Sequence, residues 1–267
     1  MSSSSEANSK RFRLSRRKTL ALLDELSPTG DGALSVYLPP GAATNEVAGQ
    51  LDGLTPEPPL PPEIAQLAAD SPTGAVLFWG TPRRLLIRPP LSISDAFVAA
   101  GYDTEPLRRR LQQEATIATV LVRLGRFAVG VWRGEKLLSS KTSTGLVHGR
   151  HRKGGSSQRR FERHRQQQAH DFLDRACGHA RDVLEPHLAE LDYLVYGGGR
   201  DTIRSLRRQC PFLSRLAVPE LPPLLTIPDP RRSVLEDAIV EVWSSTVTEW
   251  PAPPSPPIDS PSGCGLT

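Results

Sequence analysis

The sequence has only three cysteines and no long apolar segment. Cys177, Cys210 and Cys264 are widely spaced. This pattern predicts neither a disulfide framework nor a metal site, and we expect Cys177 to be a small packed residue on a helix. No run reaches the roughly 18 apolar residues of a membrane-spanning helix. Residues 1–8 are polar and serine-rich, without the apolar core of a secretion signal. These absences predict a cytoplasmic protein with no membrane partner.

The length and the composition predict two domains. The chain has 267 residues, of which 38% are hydrophobic and 26 are proline, which is typical of domains of about 100 to 150 residues joined by proline-rich segments. We expect the α/β class, with a small N-terminal α/β domain over residues 10–112 and a second α/β domain over residues 115–248. Residues 1–9 and the proline-rich residues 251–267 are predicted to be disordered.

Apolar runs and turn residues place the elements of the first domain. Residues 41–62 are predicted to form a linker, with at most a short turn near residues 45–51. The predicted helices are Leu14–Leu26 and Glu63–Ala69, and the predicted strands are Ala33–Leu38, Gly74–Trp79 and Leu85–Ile87, the last two forming a hairpin.

The second domain begins with three strands and contains the longest predicted helix. The strands Ile117–Leu124, Phe127–Trp132 and Lys136–Thr144 form a meander, and an apolar stripe predicts a helix over Arg159–Glu185. A tight turn is expected at Gly197–Gly199. The other predicted elements are a strand at Tyr193–Tyr196, a helix at Thr202–Gln209, a strand at Leu224–Ile227 and a helix at Arg232–Val247. Alternation of strands and helices after the meander predicts an α/β sandwich.

The positive charge of the chain is concentrated in residues 148–165. This stretch holds seven cations and one anion, whereas the whole chain has a net charge of +4, so the remainder is slightly acidic. Such a concentration around the glycines Gly154 and Gly155 predicts a surface that binds RNA phosphates in a salt-sensitive manner. The cations are Arg150, Arg152, Lys153, Arg159, Arg160, Arg163 and Arg165.

The order of residues in this stretch resembles the catalytic loop of eukaryotic and archaeal peptide-chain release factors. Their middle domain carries a Gly-Gly-Gln tripeptide between a basic segment and an Arg/Phe-rich helix. Here Gly154-Gly155 and Gln158 lie between His148-Gly149-Arg150 and Arg160-Phe161. Ser156 and Ser157 expand the tripeptide, which is similar to the Vms-like bacterial release-factor homologues. The family's Asn-Ile-Lys-Ser decoding element is absent from this sequence.

The resemblance implies a middle-domain fold over residues 115–248, preceded by a reduced N-terminal domain. It also implies a codon-independent peptidyl-tRNA hydrolase of stalled ribosomes, acting in the peptidyl transferase centre of the large subunit without a cofactor. Gln158 would place the attacking water, while Gly154 and Gly155 would allow close approach of the backbone. Ser156 and Ser157 would widen the loop, and the seven cations would contact ribosomal RNA or tRNA. DNA is not an expected partner.

Two other functions remain open from the sequence. The loop could dock a non-catalytic protein on the ribosome or another RNA, with Gln158 merely capping a helix or facing solvent. Alternatively, the protein could be a nuclease that cuts the acceptor end of tRNA. A serine nucleophile is disfavoured because no strand-to-helix elbow motif surrounds Ser156 and Ser157. All six histidines lie within residues 148–187, but their spacing predicts no metal site.

Overall fold

The computed structural model describes residues 9–26, 32–56, 59–145 and 157–251. They form two compact units, and in each of them helices accompany a β-sheet. The first unit contains the described residues within 9–13, 21–107 and 246–251, and the second contains those within 14–20 and 108–245. The predicted α/β class is therefore confirmed. Within these residues, no helix combines the length and the apolar character that crossing a membrane requires.

The described residues form strands and helices that alternate along most of the chain. In chain order they are β1 (Lys10–Leu14), α1 (Arg16–Asp24), β2 (Leu34–Leu38), α2 (Thr44–Leu51), α3 (Glu63–Ala69), β3 (Ala75–Trp79), β4 (Arg84–Arg88), β5 (Phe97–Ala100), α4 (Glu105–Gln112), β6 (Thr116–Arg123), β7 (Arg126–Arg133), β8 (Lys136–Thr144), α5 (Ser157–Leu184), a 3-10 helix (Glu185–Glu190), β9 (Tyr193–Gly198), α6 (Arg200–Gln209), α7 (Pro211–Ser214), α8 (Arg232–Val242) and β10 (Ser245–Trp250).

The first unit contains a six-stranded sheet in the order β1-β10-β4-β3-β2-β5. The predicted hairpin is confirmed, since β3 and β4 pair in antiparallel register with Val76 opposite Ile87. The helix predicted at Glu63–Ala69 is also confirmed as α3. Apolar residues on one face of the sheet form a core with α2 and α3, whose Ile64 is fully buried.

The prediction of a linker over residues 41–62 was wrong, because α2 lies within it. Two local features stabilise this helix. The Glu46 carboxylate accepts a hydrogen bond from the Ala43 backbone N–H at 3.0 Å, as in the return half of a capping box. Val47 and Leu51, one turn apart, are both buried in the core of the unit. Burial of this single face therefore outweighs the poor helix-forming composition of the segment.

The second unit contains a four-stranded sheet in the order β8-β7-β6-β9. The predicted meander is confirmed, because β6 pairs antiparallel with β7, and β7 with β8. Strand β9 pairs parallel with β6. The main core lies between this sheet and the helices α5, α6 and α7, and α8 also contacts β6 and β7.

Two predictions near the end of the chain were wrong. The last helix ends at Val242 rather than Val247, and Ser245–Trp250 forms β10, which pairs antiparallel with β4. Thr246, Val247 and Thr248 are all β-branched, and such a run favours a strand. Residues 224–227 make only an isolated bridge, between Leu225 and Gly197. The strand-to-helix turn predicted at Gly197–Gly199 is tight, because β9 extends through Gly198 and α6 begins at Arg200.

Candidate functional site

The first turns of helix α5 bring several of the predicted site residues together. The helix begins at Ser157, two residues earlier than predicted, so Gln158 lies in its first turn. Arg160 and Arg163 are exposed and one turn apart, and Arg165 is half-buried. Residues 146–156, which include Arg150, Arg152, Lys153, Gly154, Gly155 and Ser156, lie outside the described residues, as do the side chains of Ser157, Gln158, Arg159 and Phe161.

None of the described side chains in the N-terminal half of α5 is part of the hydrophobic core. Among the side chains that are described, the first buried one in this helix is Phe172. Fifteen residues separate Phe172 from Ser157, which corresponds to about 22 Å along the helix axis. The start of α5, with Gln158 and the arginines, is therefore held well away from the residues that anchor the helix.

The C-terminal half of α5 is firmly anchored. Phe172, Ala176 and Ala180 recur at four-residue intervals and are buried against the sheet. The ring of Phe172 lies 5.9 Å from that of Phe127 on β7. At the surface, the Lys141 ammonium of β8 lies 3.2 Å from the Asp182 carboxylate. This packing fixes the direction in which the first half of the helix extends.

Strand β8 ends beside helix α5, just before position 146. The Gly145 N–H donates a hydrogen bond to the Gly125 carbonyl at 2.8 Å. A Cβ at Gly145 would come within 2.8 Å of the Phe172 ring and 2.7 Å of an Arg175 Nη atom. Only glycine therefore allows the chain to pass this close to the helix. The sequence analysis did not single out Gly145, although a glycine at the end of a strand is a recognisable signal.

A disulfide between Cys177 and Cys210 joins α5 to the junction of α6 and α7. The prediction that the cysteines form no disulfide was therefore wrong for this pair. The two residues are 33 positions apart in the sequence, yet their Cα atoms lie 5.5 Å apart, a normal separation for a disulfide. The spacing alone gave no sign of the pairing because the contact depends on how α5 and α6 pack.

A cavity of about 700 Å³ lies beside the end of β8. Its lining is mixed, with the exposed side chain of Leu124 near paired charges. Arg126 lies 3.8 Å from the Asp229 carboxylate across this region. The lining residues are Leu124, Gly125, Arg126, Thr144, Gly145, Gln168, Asp171, Arg175 and Asp229.

Two of the four described histidines lie beside surface carboxylates. His170 lies 3.5 Å from Asp174, and His179 lies 3.6 Å from Asp182. Within residues 9–26, 32–56, 59–145 and 157–251, no group of three or more His, Cys, Asp or Glu side chains could hold a metal ion. His148 and His151 are outside these ranges.

The comparison with protein families assigns the chain to a release-factor family. The family described as the Actinobacteria/chloroflexi VLRF1 release factor matches residues 115–248, half of the chain. The chain therefore belongs to this family, and the predicted resemblance to release factors is confirmed.

The curated proteins that the chain resembles include archaeal proteins named peptide chain release factor subunit 1. With that of Thermococcus sibiricus it is 37% identical over 99 residues, which cover 36% of this chain and 24% of the relative. With that of Methanosphaera stadtmanae it is 26% identical over 214 residues, which cover 68% of this chain and 51% of the relative. The chain thus spans a quarter to about half of the length of these relatives.

A solved structure that the chain resembles is that of the archaeal translation termination factor aRF1. The match covers 86% of this chain and 73% of the other, with 19% identity and a TM-score of 0.39.

Proposed function

We propose that this protein is a codon-independent peptidyl-tRNA hydrolase that frees the nascent peptide in stalled ribosomes or large subunits. The observation that carries the proposal is the position of Gln158, in the first turn of a helix whose described side chains are not buried before Phe172. The family assignment supports a role in peptide release. Such a protein would act in the cytoplasm.

The position of the start of α5 suits a protein that inserts its catalytic residues into a deep site lined by RNA. The start of α5 lies about 22 Å along the helix from Phe172, the first buried side chain among those described, so residues next to it could enter a cavity while the body of the unit stays outside. Arg160 and Arg163 are exposed near the start of α5, next to the residues that would enter this site. Their charges would neutralise RNA phosphates there, with the large ribosomal subunit as the partner.

The reaction is hydrolysis of the ester that joins the peptide to the terminal ribose of tRNA. Water attacks the carbonyl carbon, the bond to the ribose oxygen breaks, and the products are a free peptide and an intact tRNA. Placing the water and stabilising the developing oxyanion would supply much of the acceleration, and we assign the placement to Gln158. Gly154 and Gly155 would let the backbone approach the substrate closely.

Independence of the codon is supported by the sequence of the first unit. Release factors of the family use an Asn-Ile-Lys-Ser element for decoding, and this chain does not contain one. We therefore propose that the first unit does not read a stop codon and that stalled complexes are the targets.

The product of the reaction separates this function from the alternatives. Purified large subunits that carry peptidyl-tRNA would be incubated with wild-type protein and resolved on a gel that separates peptidyl-tRNA, intact tRNA and trimmed tRNA. We expect intact tRNA and released peptide, without any requirement for messenger RNA. A shortened tRNA would identify a nuclease instead, and binding without any product would identify a docking protein.

A further inference from the structure

Helix α6 presents a row of arginines to the solvent. Arg200, Arg204 and Arg208 are four residues apart and all exposed, so they lie along one side of the helix at intervals of about 6 Å. We refer to the three residues as the α6 arginine row.

The opposite side of α6 is fixed in the core of the second unit. Ile203 and Leu206 are buried among residues of α5 and β9. At the end of the helix, Cys210 is fully buried and linked to α5 by the disulfide. The α6 arginine row therefore has a defined orientation, and binding through it would cost little ordering of the backbone.

The row has few carboxylates to neutralise it. Among the described residues, the carboxylate that Arg204 contacts is Asp201, at 3.4 Å, and both side chains are largely exposed, so the pair is weak. Within the part of the chain that the structure describes, Arg200 and Arg208 have no carboxylate partner. The neighbouring Arg207 is different, because it pairs with Glu220 at 2.8 Å and lies over the Tyr196 ring.

Three other exposed cations of the same unit are paired with carboxylates. Arg133 contacts Glu190, Lys141 contacts Asp182 at 3.2 Å, and Arg232 contacts Glu236 at 2.9 Å. The α6 arginine row is thus unlike these positions, where each cation already has an anion of the protein beside it. Its charge is available to an external anion.

The α6 arginine row lies at a fixed distance from the start of α5. Gln209, next to Arg208, donates from its side-chain amide to the His170 carbonyl at 2.7 Å. His170 is thirteen residues after Ser157, or about 20 Å along α5. One end of the row therefore lies at a set distance from Arg160 and Arg163, and both groups belong to one unit.

We propose that the α6 arginine row binds backbone phosphates of ribosomal RNA, as a second contact in addition to the one at the start of α5. This inference rests on the RNA partner of the proposed function and extends it to a surface outside the catalytic loop. Guanidinium groups bind phosphate oxygens in a bidentate manner. Two contacts on one rigid unit would strengthen binding because the second forms within the complex.

The test is the salt dependence of binding to purified large subunits. The variant Arg200→Gln/Arg204→Gln/Arg208→Gln removes three charges, and its affinity would be measured from about 50 to about 300 mM salt. We expect the slope of log affinity against log salt to decrease by about 2 to 3 if each arginine meets one phosphate. The affinity at about 100 mM salt should fall at least about tenfold, and the corresponding triple lysine variant should keep most of the slope.

A matched control removes three cations that are already paired. The variant Arg133→Gln/Lys141→Gln/Arg232→Gln has the same change in net charge, and we expect its salt slope to change by less than about 1. If both triple glutamine variants behave alike, or if the α6 variant binds as tightly as wild type, the inference is wrong. The inference would also be overturned if the α6 variant lost as much affinity for free tRNA as for large subunits, since that result would indicate general attraction to RNA.

The binding test is independent of turnover. If the wild type releases no peptide but the α6 variant shows the expected decrease in the salt dependence of binding, the hydrolase proposal fails and the RNA contact stands. If peptide is released and the slope is unchanged, the hydrolase stands and the α6 contact fails.

Discussion

Cys177 on α5 and Cys210 at the junction of α6 and α7 are joined by a disulfide, with their Cα atoms 5.5 Å apart. Cys210 is completely buried, and both residues lie beside the core that anchors the second half of α5. The bond therefore reinforces the packing that holds the start of α5, and the α6 arginine row, in fixed positions.

Removing this bond should destabilise the protein. In the chain-entropy account, a cross-link over a loop of this length contributes about 3 to 4 kcal/mol. We expect Cys177→Ala/Cys210→Ala to lower the free energy of unfolding by about that amount, plus a smaller loss of packing at Cys210. The measurement is urea unfolding with and without a thiol reductant. The reductant should destabilise the wild type but leave the double variant unchanged, and equal stability of the two proteins without reductant would contradict the prediction.

Gly198 should not tolerate a side chain. Its φ angle is +130° and a Cβ would lie 2.0 Å from the backbone oxygen of Val122 on β6, so the parallel pairing of β6 with β9 would have to shift. We expect Gly198→Ala to cost about 3 kcal/mol or more in unfolding free energy. The control is Gly199→Ala, where the nearest atom is 3.5 Å away, and its cost should stay below about 1 kcal/mol. Similar urea midpoints for the two variants would be inconsistent with this geometry.

Tyr196 should make stability sensitive to alkaline pH. Burial, followed by the negative charge of Glu220, raises the pKa of Tyr196 to about 12, and Arg207 opposes this effect. The unfolded side chain has a pKa of about 10. The folded state therefore binds the Tyr196 proton more tightly than the unfolded state does. The resulting contribution to the free energy of unfolding is fully present below about pH 10 and is lost as the pH rises toward about 12.

The variant Tyr196→Phe tests this effect. The Tyr196 hydroxyl is buried and has no hydrogen-bond partner among the described residues. Its removal should therefore maintain or slightly increase stability at about pH 8 and reduce the decline between about pH 10 and 12. In the comparison variant Tyr37→Phe, stability at about pH 8 should fall by about 1 to 2 kcal/mol, because the Tyr37 hydroxyl donates to the Asp103 carbonyl at 2.7 Å. A pH profile of Tyr196→Phe as steep as that of wild type would contradict the prediction.

The elements with a clear hydrophobic period could be predicted from the sequence. The stripe through Phe172, Ala176 and Ala180 predicted the long helix, and these residues are buried in α5. The strand at Lys136–Thr144 was predicted with the same limits as β8. In these segments the local pattern and the tertiary burial favour the same structure.

The elements that depend on distant partners could not be predicted. Strand β10 pairs with β4, about 160 residues earlier in the chain, and its sequence continues directly from the pattern of α8. The disulfide similarly depends on the packing of α5 against α6. Local periodicity carries no information about either partner.

For the candidate site, the sequence predicted the residue types but not their placement. The run of arginines and Gln158 were evident from order and charge. That the first half of α5 extends past the core could not be inferred, because Ala169 continues the predicted apolar stripe although it is only half-buried. The roles of Gly154, Gly155, Ser156, Ser157 and Gln158 stay predictions.

The most direct measurement of the central claim is the rate of peptide release by Gln158→Ala. Large subunits carrying peptidyl-tRNA would be mixed with saturating protein, and the single-turnover rate compared among wild type, Gln158→Ala and the matched control Gln166→Ala, which changes an exposed glutamine of the same helix. We predict that Gln158→Ala lowers the rate about 100-fold or more while binding within about twofold of wild type, and that Gln166→Ala releases peptide at the wild-type rate. Equal rates for Gln158→Ala and wild type would contradict the assignment of Gln158 as the residue that places the water.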